Sequence, residues 1–308
     1  MAFHLNQTPA RRASRRRTTR DPITPHEAKQ RAYFLLAEGK ITGKQSQVLS
    51  TLAVAGVLDE QQLARLIGIS GRSLRRYHSQ HLLDRLYVVP ASLRTVGFIR
   101  AGESLRLYKL GAVGRAIVAH DQPLVPSGYE GFGVHRLTHD VLANEVMIRV
   151  ARAGADAGYD PIWLSKYEAT VHDDAGRPML EPDAMLELRH AHRATQRFLL
   201  EYHNEDDSRR AAGKIKRYEE VARDGHWQHA WNTETLPTVL VSWTHNAVAT
   251  GYSAAIERQA HRHLGLRFRY LGMPIQRLLA GGDPLQWKEF LSKEVAPLLP
   301  EVFASTGV

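Results

Sequence analysis

The stretch FLLEYHNEDD, Phe198 to Asp207, sets three apolar residues ahead of Glu201, Tyr202 and His203. The apolar start reads as a buried strand, and it carries Glu201 into the strand's end. An ionised carboxylate is costly to bury unless something positive holds it. The chain must therefore supply a cationic partner for Glu201, or the acid is there to hold a metal. A second acid, Asp183, follows Pro182 at the head of the apolar segment PDAMLELRH. Taken singly, Asp183 reads as a turn residue that opens a strand, and Glu201 as an ion-pair partner in a core.

These acids need elements to position them. Residues 135 to 155, HRLTHDVLANEVMIRVARAGA, form an amphipathic helix with Leu137, Val141, Leu142, Val146 and Val150 on its apolar stripe. IWLSKYEATV, PDAMLELRH and QRFLLEYH read as three successive strands. RRAAGKIKRYEEVARDG is a helix closed by Gly225, and it carries Lys214 and Lys216. TVLVSW is apolar throughout, as a central parallel strand is. A further helix is expected at about 250 to 264, and LLAGGDP, Leu278 to Pro284, reads as a turn.

The N-terminal third has a different pattern. A helix over residues 24 to 38 starts after Thr24, with Pro25 and Glu27 in its first turn. A block at about 44 to 55 turns Val48, Leu49 and Leu52 to one side; a second, at about 59 to 67, turns Leu63, Leu66 and Ile67 inward. After a break at Gly68, Ser70 caps a third block with Leu74, Tyr77, His81 and Leu82 on its apolar side. Two strands follow, LYVVPA and SLRLYKLG. That order resembles a winged helix-turn-helix over roughly residues 28 to 120. Arg72, Arg75, Arg76 and Ser79 lie opposite the third block's apolar stripe, where a winged helix meets phosphates and base edges of the major groove. Arg94, Arg100 and Arg106 fall in the wing region.

Net charge is +9, and the N-terminus concentrates it: Arg11, Arg12, Arg15, Arg16, Arg17 and Arg20 share one polar stretch. The functional reading is a DNA-contacting arm; the bland one is a solvated tail. The chain has no cysteine, which excludes disulfides, thiolate zinc sites and cysteine nucleophiles. No apolar run approaches the roughly 20 residues of a membrane helix, and the opening residues lack the apolar core of a secretory signal. A cytoplasmic protein without membrane contact is expected. His135 and His139 stand four apart on a helix, a zinc-clamping spacing, but no third ligand accompanies them. His190, His192, His226 and His229 read as surface residues.

The order helix, three strands, helix, strand, helix resembles the PD-(D/E)XK nuclease superfamily, with Pro182-Asp183 and Glu201 at its signature positions. The resemblance implies that Asp183 and Glu201 ligate Mg²⁺ or Mn²⁺ at one end of a sheet, with Glu145 as a helix-borne third acid. Lys214 and Tyr218 resemble the Gln-x-x-x-Tyr motif of one branch, with lysine in place of glutamine. His203 stands where the family's lysine would be, and it cannot supply the same permanent charge. The catalytic set implied is Asp183, Glu201, His203 and Lys214 or Lys216.

The two halves together, through HRLTHDVLANEV, PDAMLEL, FLLEYHNEDDSRRAAGKIKRYEEV and TVLVSW, look like the replication-relaxation family of bacterial mobile elements, over about residues 40 to 265. The expected architecture mixes α/β and α+β. A disordered arm (1–23), a winged helix-turn-helix (24–120) and a linker (121–134) lead into a three-layer PD-(D/E)XK-like domain with a mixed central sheet (135–308). The expected function is double-stranded DNA binding in plasmid or mobile-element replication, relaxation or transfer, alongside replication or transfer proteins. Either the protein is a Mg²⁺-dependent nuclease or nickase, or it is a non-catalytic accessory factor or transcriptional regulator.

Overall fold

The computed structural model describes residues 22–88, 91–100, 103–121, 133–262 and 265–300. The arm with Arg11, Arg12, Arg15, Arg16 and Arg17, and residues 122–132 of the expected linker, lie outside the described residues. The first helix, α1 (Pro25–Ala37), starts at a capping box: Thr24 Oγ1 accepts the Glu27 N–H at 3.2 Å, and Glu27 accepts the Thr24 N–H at 2.8 Å. Thr42 and Gln45 repeat the device for α2 (Gly43–Ala55). A two-residue strand, β1 (Leu58–Asp59), leads into α3 (Glu60–Ile67), and Asp59 caps that helix through the Gln61 and Gln62 amides. Gly68, at φ 66°, makes the left-handed turn out of α3, and Ser70 caps α4 (Gly71–Ser79). Then come β2 (Leu83–Val88), α5 (Ala91–Thr95), β3 (Leu105–Leu110) and α6 (Ala112–Asp121). The strands form an antiparallel sheet in the order β1-β3-β2.

Two details differ from the sequence expectation. The third helix ends at Ser79, because His81 takes a positive φ of 60° that breaks the helix before Leu82 is buried. The segment between β2 and β3 is more than a wing loop. It folds into α5 and places Leu93 and Val96 in the same core cluster as Leu142 and Val146 of α7 (Val134–Asp156).

Helix α7 serves two cores at once. Leu142, Val146 and Val150 face the C-terminal sheet, while Ile148 belongs to the core of α2, α3 and α4. Leu137 and Val141 pack with Val57, Val88 and Leu107. Full burial of each Val or Leu stabilises by roughly 1.5–3 kcal/mol, so both sides of α7 contribute to holding the fold. Polar groups add register: Asn144 Nδ2 donates to the Ala55 and Val57 carbonyls at 3.0 and 2.6 Å, and Gln62 Nε2 to the Val141 carbonyl at 3.0 Å.

After α7 come β4 (Asp160–Ser165), α8 (Lys166–Ala169), β5 (Val171–His172), β6 (Pro178–Leu180), β7 (Ala184–Arg189), β8 (Gln196–His203), α9 (Arg209–Asp224) and α10 (His226–Ala230). Next are β9 (Thr238–Trp243), α11 (Asn246–Ala260), β10 (Tyr270–Pro274), α12 (Ile275–Leu279), β11 (Gln286–Glu289) and β12 (Val295–Pro297). Seven strands form one mixed sheet, β12-β11-β10-β9-β8-β7-β4, parallel at β8–β9 and β9–β10 and antiparallel elsewhere. Alternation along β8 sends Phe198, Leu200 and Tyr202 into the core shared with α7, and Leu199 into the core with α9 and α11. The expected strand IWLSKYEATV stops at Ser165, where Ser165 and Glu168 form a capping box that starts α8.

Candidate functional site

Helix α4 is amphipathic in the simplest way. Leu74 and Tyr77 are buried, while Arg72, Arg75, Arg76 and Ser79 are exposed. Arg72 and Arg75 make no ion pair among the described residues. Arg76 lies 5.5 Å from the Tyr77 ring centroid, and Ser79 Oγ donates to the Arg76 carbonyl at 2.7 Å. The outer face is thus a row of guanidiniums with little internal neutralisation, presented by an element whose inner face is fixed in a core.

The two acids of the second half meet at one end of the sheet. The Asp183 N–H donates to the Leu200 carbonyl at 2.9 Å, and Asp183 Oδ2 accepts the Tyr202 N–H at 2.8 Å, which sets Asp183 beside the end of β8. Glu201 is 1 % exposed. Odd-numbered residues of β8 face α9, so Glu201 meets Lys214 Nζ at 2.7 Å through Oε2 and 2.9 Å through Oε1. The Tyr218 hydroxyl, one helical turn beyond Lys214, donates to Glu201 Oε1 at 2.8 Å. Burial, with the Asp183 charge nearby, pushes the Glu201 carboxyl up against the opposing pull of Lys214. For Lys214, burial opposes the charge, but Glu201 and Asp183 outweigh it and raise the ammonium's pKa.

Asp183 has its own cation. His139 Nε2 lies 3.4 Å from Asp183 Oδ2 and 2.9 Å from the Tyr202 carbonyl, and His139 Nδ1 lies 3.0 Å from Asp140 Oδ1. With acceptors at both ring nitrogens, the ring fits its doubly protonated form. Burial disfavours that charge, yet Asp183 and then Asp140 push the pKa up to about 10. Burial likewise opposes ionisation of Asp183, and His139 with Lys214 holds its carboxyl well below the usual range.

The other expected site residues stand elsewhere. Glu145 is not brought to Asp183. Its Oε1 accepts from Arg65 at 2.9 Å and from Arg149 at 2.7 Å, and Gln62 donates to its Oε2 at 3.2 Å. Burial opposes its ionisation, and the two arginines keep its pKa low. Lys216 is not brought in either: it lies on the exposed face of α9, 3.6 Å from Glu220. The periodicity explains this, because position 216 lies off the stripe of Ile215 and Tyr218. His203 faces α11, with Nε2 2.9 Å from the Tyr252 hydroxyl, and burial pushes its pKa down to about 4. It is a neutral core histidine, not a charged stand-in for lysine. The zinc pair does not form, since both His139 nitrogens are engaged as described.

The donor set fits a divalent ion poorly. Both Glu201 oxygens are held by Lys214 and Tyr218, Asp183 is paired with His139, and Glu145 lies in another network. Among the described residues no group of three or more His, Asp or Glu is arranged to hold a metal ion. What sequence reasoning missed was His139 as the partner of Asp183; the adjacent pair His139-Asp140 on an apolar-striped helix was its only signal.

A family model described as replication-relaxation matches residues 49–236, more than half of the chain. No curated protein and no solved structure matches it.

Proposed function

The chain belongs to the replication-relaxation family, and from that premise we propose that it is a duplex-DNA-binding factor in replication or relaxation of a plasmid or mobile element, with α4 as the groove-reading element. The order α2, β1, α3, α4, β2, α5, β3 supports a winged helix whose wing carries a short helix, and the mixed sheet between α7 and α9 supports a PD-(D/E)XK-like scaffold. The observation that carries the reading is the outer face of α4, where Arg72, Arg75 and Arg76 are exposed over a buried Leu74 and Tyr77. Fluorescence anisotropy with labelled duplexes tests it. Arg75→Ala with Arg76→Ala should weaken binding by about 1–3 kcal/mol for each guanidinium that reads a base edge, and should lower the salt slope for each that meets a phosphate. Unchanged affinity and slope would remove α4 from the DNA.

The acid cluster has a non-catalytic role in this reading. Protein cations already neutralise each carboxylate, and their bonds tie β7 and β8 to α7 and α9. Supercoiled plasmid incubated with Mg²⁺, Mn²⁺ or EDTA should yield no metal-dependent nicked product. A product that needs Mg²⁺ and vanishes in Asp183→Asn would overturn this part of the reading. Among the described residues no helix is long and apolar enough to cross a membrane.

A further inference from the structure

The junction of β1 with α3 brings an acid into the cationic half of the molecule. Leu58 of β1 pairs with Tyr108 of β3, and Asp59 with Leu107. Continued by one residue, that antiparallel register sets Glu60 at the level of Arg106. Their charges meet there, with Arg106 Nη1 3.5 Å from Glu60 Oε2. On the other side of β3, Arg106 pairs with Tyr87 of β2. Tyr87 is 43 % exposed, and the Arg85 guanidinium lies 5.0 Å from its ring centroid. Glu60, Arg106 and Tyr87 thus form a row across the three-stranded sheet, with Arg85 beside it. Tyr108, the cross-strand partner of Arg85, is fully buried next to this row and feels its charges. Burial and then Glu60 push its hydroxyl pKa up, while Arg85 and Arg106 oppose them.

The same carboxylate reaches α4. A Cβ placed on Gly71, the first residue of that helix, would collide with the Glu60 carboxylate, so the missing side chain makes room for the acid. Gly71 has no positive φ that would otherwise call for glycine. Arg72, the next residue, begins the exposed row of α4. Glu60 is therefore a negative group that touches both the sheet's cationic row and the start of α4. Its hold on Arg106 is loose. The Arg106 side chain is 47 % exposed and that of Glu60 32 %, and an ion pair so open to water contributes little to stability. A guanidinium offers a phosphate the same donors that it offers a carboxylate, so the two anions compete for it. We infer that Glu60 is an intramolecular competitor for the DNA backbone, holding Arg106 in the free protein and yielding it to a phosphate of a bound duplex. The inference rests on the DNA-binding reading and adds to it a residue that restrains binding.

The test titrates the full-length protein against a labelled duplex over a series of salt concentrations. Glu60→Gln removes the charge and keeps the shape. It should bind about threefold tighter than wild type or more at low salt, with the advantage shrinking as salt rises. Placed in an Arg106→Ala background, Glu60→Gln should give no gain over Arg106→Ala alone. A gain in affinity is a readout that a merely structural acid does not produce. Glu60→Gln binding equal to or weaker than wild type overturns the inference, whether or not the variant melts at a lower temperature. A gain that persists without Arg106 overturns it too, because net charge alone would then account for it. Arg75→Ala with Arg76→Ala keeps the two readings apart. If that variant binds as wild type does while Glu60→Gln still gains through Arg106, the α4 reading falls and the inference stands. If it loses binding while Glu60→Gln gains nothing, the inference falls and the α4 reading stands. No duplex binding by wild type or by Glu60→Gln overturns both.

Discussion

Replacing Glu201 by glutamine removes one charge from a carboxylate that is 1 % exposed, and leaves Lys214 facing a neutral amide at the same distance. Removing one partner of a buried ion pair costs about 3–5 kcal/mol, because the other charge stays buried and unpaired. Two features set the low end here. The Lys214 side chain is 26 % exposed and can turn to water, and glutamine retains an oxygen for the Tyr218 hydroxyl. A loss of about 3 kcal/mol follows. At roughly 2–4 °C per kcal/mol for chains of 150–250 residues, the melting temperature should fall by about 6–12 °C. The loss should be equal with Mg²⁺ and with EDTA. Lys214→Met added to Glu201→Gln should recover most of it, since removing both charges abolishes the orphan. Circular-dichroism melts of wild type and these variants in each buffer make the measurement. The reasoning is refuted if Glu201→Gln melts as wild type does in EDTA, while wild type alone gains stability from Mg²⁺. That pattern would make Glu201 a metal ligand whose binding energy stabilises the folded state.

His139 gives a pH dependence of definite sign. Its pKa is raised in the folded state to about 10 from 6.5, so its stabilising charge is fully present below about pH 6.5 and is lost as the pH rises towards about 10. Denaturant midpoints across that window should decline in wild type and decline less in His139→Gln; equal slopes would show the ring to be neutral. Leu93→Ala should cost about 2–5 kcal/mol in urea unfolding, because Leu93 is fully buried in the core with α7; a change under about 0.5 kcal/mol would mean that α5 is not docked on that core. Removal of residues 1–20, which carry Arg11, Arg12, Arg15, Arg16, Arg17 and Arg20, should weaken binding to all duplexes alike and flatten the salt dependence. Lost discrimination between sequences with nonspecific binding intact would contradict a backbone-contacting arm.

The legible parts of this chain are those governed by local rules. Thr24 and Ser70 start their helices, and Gly225 ends its own, where capping chemistry places them. The alternation of β8 made Glu201 conspicuous as a buried acid, and the helical spacing of Lys214 and Tyr218 put both on one stripe. Long-range choices were not legible. His203 is neutral because burial, set by packing against α11 far along the chain, disfavours its charge. Glu145 looked like a third acid because its position on α7 matched one, yet Arg65 on α3 claims it. Strands β10 to β12 were missed because short, Gly- and Pro-interrupted edge segments carry little periodic signal, and pairing with β9 and with one another makes them strands.

The double duty of α7 has a mechanical consequence. Arg65 anchors α3, against which α4 stands, at Glu145, and His139 lies six residues earlier on the same helix, about 9 Å along its axis. No hinge separates these two points. The offset between the α4 face and the acid cluster at Asp183 is therefore set by a rigid rod instead of a tether. If α4 meets DNA as proposed, any second contact made near Asp183 must fall at one distance and one rotational phase from it. Inserting five base pairs, about half a helical turn, between the two would bring each into register only at the cost of twisting the DNA, whereas a flexible linker would absorb the change.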